Sequence, residues 1–163
     1  MRIVRLFATF LTRVLISAIF LAGGINKIIH WHETERLLTG VFCDWQSYVG
    51  FSETAQNCFA AIIPWTPLIL IAATLCELVG GLFLLLGFKE KLGAALLIFF
   101  LIPATVLMHQ FWFFETPDKE LQSAMFLKNL AILGGLVLVL LHGARSKAAA
   151  KAGSEPMPSF KLG

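Results

Sequence analysis

The sequence predicts an all-α membrane protein: a polytopic bundle of four transmembrane helices with an outer cap between the first and the second. Three observations carry that prediction. Hydrophobic residues make up 58% and charged residues 14% of the 163-residue chain, and the mean hydropathy is +0.80, far from the balance of a soluble domain. Four apolar runs are each long enough to cross about 30 Å of hydrocarbon as helix. The last three are joined by short polar connections, which makes them antiparallel neighbours. The net charge of +3 gathers at the chain ends and in one short loop, so it reads as a topology signal. The partner it implies is the lipid bilayer, with no nucleic acid.

The first span, 6–25, follows Arg2 and Arg5. It reads as a retained helix and not as a signal peptide, because Arg13 interrupts the run and no small-x-small cleavage site follows. Arg13, Ser17, Phe20, Gly24 and Lys27 recur at helical spacing and form one inward-facing stripe. Residues 26–64 are polar and mixed, with Trp31, Trp45 and Tyr48 suited to a membrane interface and Leu37, Leu38, Val41 and Phe42 giving a short amphipathic pattern. They predict a structured cap with one or two short helices. The second span, 65–88, and the third, 92–113, form a hairpin through Lys89-Glu90-Lys91, and Pro103 is expected to kink the third. The fourth span is 123–141, completing a single membrane domain over 1–142. The tail 143–163 has nothing to bury and reads as disordered.

Orientation follows from the basic residues. Arg2, Arg5, Lys89, Lys91, Arg145, Lys147 and Lys151 fall on one face, against Lys27, Arg36 and Lys119 on the other. The positive-inside rule then places both termini in the cytoplasm and the cap outside, in the periplasm of a bacterium, with the bundle in the inner membrane.

Glu77 is the oddity, a carboxylate inside an apolar span. A lone charge at the centre of a membrane helix costs about 3 kcal/mol, so it calls for a partner facing it from another helix. Depths counted from the span ends put Arg13 and Glu77 on the same side of centre, which predicts a buried Arg13–Glu77 ion pair, acting either as a helix staple or in chemistry. Nearer the outer face, Asn26, Lys27, His109, Lys128 and Asn129 fall at a similar depth. Together they predict a basic, hydrogen-bonding pocket under the cap, suited to an anionic or carbonyl-bearing ligand such as a quinone head group. The competing readings are that Lys27 snorkels and that Glu115 or Glu120 neutralises Lys128. His30, His32, Glu33 and Glu35 cluster but lack metal-ligand spacing, so no metal is expected. Cys43 and Cys58 share the cap and form a candidate disulfide, or a redox dithiol. Cys76 reads as a small buried residue.

Four stretches resemble the DoxX family of small bacterial membrane proteins: FLAGGINKI at 20–28, CELVGGLFLLLGFKEKLGA at 76–94, HQFWFF at 109–114 and MFLKNLAILGGLVL at 125–138. The resemblance implies a four-helix membrane bundle in a family tied to redox work. Its named members include subunits of a thiosulfate to quinone oxidoreductase and a membrane component that assembles with superoxide dismutase and a sulfurtransferase. The expectation is therefore a membrane subunit or anchor in a quinone- or thiol-linked redox process, with a soluble redox partner or a second copy of the chain as candidate partners. No haem, flavin, iron–sulfur or nucleotide motif is visible, so that role calls for a diffusible cofactor such as quinone, or for a partner protein. A small-molecule transporter component and a purely structural assembly factor, its glycine faces at Gly80-Gly81 and Gly134-Gly135 binding other helices, are the alternatives.

Overall fold

The computed structural model describes residues 2–142, and the expected disordered tail lies outside them. Six α-helices follow one another, and no strand occurs among the described residues. Helix α1 covers Arg2–Ile29, α2 Trp31–Tyr48, α3 Glu53–Ile62, α4 Thr66–Leu86, α5 Glu90–Met108 and α6 Asp118–His142. Four stretches have the length and hydropathy to cross a membrane: Phe7–Ile29, Glu53–Leu86, Glu90–Phe113 and Asp118–Leu141.

Local chemistry sets the breaks. At His30 the backbone leaves helical geometry (φ −109°, ψ 43°), yet its N–H still bonds to Asn26 O and its carbonyl still accepts from Thr34 N, so α2 leaves α1 at a bend and not at a loop. Ser52 caps α3, its hydroxyl accepting from Ala55 N. Pro64 sits in a 3₁₀ turn, Ile63–Trp65, and Pro67 lies in the first turn of α4 where no N–H is needed. Gly87, in the left-handed region at φ +64°, ends α4. There Phe88 N bonds to Phe83 O, the six-to-one bond of a Schellman cap. Helix α5 runs from Glu90 to Met108 with Pro103 inside it. The cap is thus two helices, and α3 runs by way of the 3₁₀ turn into α4.

The helices pack in chain order, α1 on α4, α4 on α5 and α5 on α6. Phe20, Leu84, Ala94, Leu97, Leu101 and Leu136 form the core, and Ile16 joins α1 to α6 through it. The close crossing of α4 and α5 depends on glycine. A Cβ on Gly80 would stand 3.0 Å from Gly93 O and 2.7 Å from Leu97 Cγ, and one on Gly93 2.9 Å from Gly80 O. Gly81 is covered by Leu21 of α1, whereas nothing lies within 4 Å of a Cβ on Gly134. The predicted stripe of α1 does face inward: Ser17, Phe20 and Gly24 are buried, and Arg13 and Lys27 half-buried. Its back, including Phe7, Phe10 and Leu15, is exposed as a lipid-facing surface would be.

The cap is held by aromatic rings. Trp45 of α2 donates its indole N–H to Leu107 O at 3.1 Å and stacks on Phe59 of α3. Phe113, just beyond α5, packs edge-on to Trp45 and stacks on Tyr48 at 4.0 Å between centroids. Helix α2 therefore lies as a roof across the N-terminal end of α4 and the C-terminal end of α5.

Candidate functional site

The register between α1 and α4 decides which charges meet. The chains are antiparallel: a Cβ on Gly23 would approach Glu77 Oε1 to 3.0 Å, Leu21 lies over Gly81, and the Arg13 guanidinium lies over Gly87. Arg13 is thus ten residues, about 15 Å, from the level of Glu77, beyond any side chain's reach. The expected Arg13–Glu77 pair does not form. Arg13 Nη2 instead meets Glu90 Oε1 at 2.6 Å beside the end of α4. The expectation erred by taking the first residue of α1 and the last of α4 as level, whereas the first turns of α1 run past the α4–α5 turn.

Lys27 is the partner of Glu77, with Nζ 2.7 Å from Oε2 and side-chain exposures of 22% and 6%. The contact is ionic, and no other donor reaches Oε2. Side chains on a helix lean toward its N-terminus. In α1 that direction is inward, so Lys27 turns down one turn to the level of Gly23 and does not snorkel outward. Its ammonium also lies 5.4 Å from the centre of the Phe100 ring, a second favourable contact for a cation.

These groups open onto a half-open cavity of about 620 Å³ lined by α1, α2, α4, α5 and α6. Most of the wall is apolar, with Phe42, Leu70, Phe100, Leu101 and Ile132 among its side chains. Lys27, His109, Lys128 and Asn129 line it together with Glu77. Asn26, the fifth expected member, is exposed and is not part of the wall. The sequence placed Glu77 in a separate inner layer; the register brings it into the same chamber as the basic residues. Thr34, Leu38 and Phe42 of the roof and Cys76 of α4 complete the wall and were not anticipated there. The four-residue spacing of Thr34, Leu38 and Phe42 is the signal that could have found them, being one face of a helix.

Each polar group has a defined state. His109 Nδ1 lies 2.9 Å from the Gln122 side-chain amide, Oε1 being the near atom. Lys128, exposed on α6, donates to Met125 Sδ at 3.4 Å. No carboxylate pairs with it among the described residues, so neither Glu115 nor Glu120 neutralises it. Asn129 is buried, 9% exposed. Cys43 on α2 and Cys58 on α3 are exposed free thiols, so the candidate disulfide is not formed, and the two helices meet through Trp45 and Phe59. His32 faces Glu35 at 3.8 Å on the exposed side of α2.

The model of the DoxX family matches residues 8–110. The chain belongs to the DoxX family. As a DoxX member with four apolar spans it is a multi-pass integral membrane protein. No curated protein and no solved structure matches it. The family match covers α1 to α5 and stops short of α6, so the wall carrying Lys128 and Asn129 lies outside it.

Proposed function

We propose that this DoxX protein is a membrane subunit in a quinone-linked redox process, with the roofed cavity as the place where the quinone head group is held. The observation that carries the reading is the Lys27–Glu77 pair, set in the wall of an otherwise apolar chamber of about 620 Å³. Such a chamber favours an apolar ligand with a few polar atoms to orient it. Lys27 has three N–H donors, of which Glu77 occupies one direction, so others can turn to a carbonyl oxygen. Glu77 fixes the ammonium in place. His109 offers Nε2, which accepts from a hydroxyl when neutral and donates to a carbonyl when protonated. A bound quinone would supply a two-electron, two-proton couple.

Below Glu77 the bundle is closed by the Gly80–Gly93 crossing and the core of Leu84, Ala94 and Leu97. A dead-end chamber suits binding better than passage, which supports a redox subunit over a transporter component. The electrons come from a soluble redox partner. A thiol-linked form of the process would act through the exposed Cys43 and Cys58. The basic-residue asymmetry supports an inner-membrane location with both termini cytoplasmic.

Purification in mild detergent followed by solvent extraction tests the reading. About one quinone per chain is expected from the wild type and a marked loss from Lys27→Met. An extract without quinone, together with no binding of added quinone, would sink it.

A further inference from the structure

Lys128 is the charge that the quinone reading leaves unexplained. It lies ten residues into α6, about 15 Å along the helix, at a depth where cations are compensated. Among the described residues its one hydrogen-bond partner is a thioether, a weak acceptor. Lys27 and Glu77 cancel each other, so a neutral ligand in the cavity leaves Lys128 as it was. Asn129, next along the helix, is nine-tenths buried in the cavity wall, and its amide bonds to no protein group among the described residues. An amide that lines an apolar cavity without a protein partner has its N–H groups available to a ligand oxygen.

The direction of the lysine identifies the ligand. In α6 the N-terminus is at the outer end, so Lys128 leans outward, its ammonium rising one turn to Met125. That places a cation just beneath the polar first turns of α6, where lipid phosphates lie, on the rim of an apolar chamber. We propose that Lys128 and Asn129 form a binding site for the anionic head group of a membrane phospholipid. The ammonium contacts the phosphate, the Asn129 amide donates to a phosphate or ester oxygen, and an acyl chain follows the outer cavity wall past Ile132. The site is separate from the Lys27–Glu77 pair and does not require the quinone reading to hold.

The test is native mass spectrometry of the full chain released from micelles holding phosphatidylglycerol and phosphatidylcholine in equal amounts. One interfacial lysine predicts a preference of about fivefold for the anionic lipid. That preference should fall to near unity in Lys128→Gln, persist in Lys128→Arg and weaken in Asn129→Leu. Lys128→Arg keeps the experiment decisive if Lys128→Gln fails to fold, because neutral and anionic lipids are still compared on it. Equal retention of the two lipids by the wild type overturns the proposal, as does a preference that survives in Lys128→Gln. Loss of the preference on adding millimolar inorganic phosphate overturns the lipid assignment in favour of a free oxyanion.

Discussion

Replacing Lys27 by Met removes the cation facing Glu77 while keeping most of the side-chain volume, and Glu77→Leu does the reverse. Removing one partner of a buried pair leaves the other charge uncompensated, which costs about 3–5 kcal/mol in a water-soluble interior. Two features of this pair reduce that figure. Lys27 keeps 22% of its side-chain surface and can swing toward the cavity, and Glu77 borders that same cavity. Each single variant should therefore lose about 2 kcal/mol. The double variant, with both charges gone from an apolar wall, should lose only about 1 kcal/mol, giving a coupling of about 3 kcal/mol. Equilibrium unfolding in mixed detergent, run on all four proteins, reads the coupling directly. A double variant that loses the sum of the singles, about 4 kcal/mol, would refute the pairing. Arg13→Leu supplies the control: it should couple to Glu90 and show no coupling to Glu77, from which it is separated by about 15 Å along α1.

Three further outcomes can be measured on the same preparations. Gly80→Ala and Gly93→Ala each force a Cβ against backbone at 3.0 Å or less and should cost about 1–3 kcal/mol by overpacking, while Gly134→Ala, with open space around it, should leave the unfolding midpoint unchanged or slightly raised. Trp45→Phe keeps the ring but loses the bond to Leu107 O; a loss of about 1 kcal/mol should appear as faster proteolysis of the α2–α3 hairpin than of the spans. In intact cells a membrane-impermeant maleimide should label Cys43 and Cys58 and spare Cys76, and protection of the first two would reverse the proposed orientation.

Much of the fold was legible because bilayer insertion is written in composition. Twenty-odd apolar residues and short polar turns are local signals, each with a local cause. The inward stripe of α1 was legible for the same reason, since spacing alone fixes which residues share a face. The cap was harder. Trp45, Tyr48, Phe59 and Phe113 are scattered along 69 residues, and only the docking of the α2–α3 hairpin on the end of α5 assembles them.

The sequence by itself determined that Glu77 needs a cation, that Arg13 and Lys27 share the inward stripe of α1, and that a group of basic residues gathers near the cap. Only the tertiary structure decided which cation answers. The choice depends on the stagger of two antiparallel helices, set where Gly24 admits Leu78 and Gly81 admits Leu21, and a sequence carries no direct record of stagger. It depends as well on helix polarity: the lean toward the N-terminus sends Lys27 in toward Glu77 and Lys128 out toward Met125. Two lysines of equal apparent depth thereby take opposite roles, one neutralised inside the chamber and one left free at its rim.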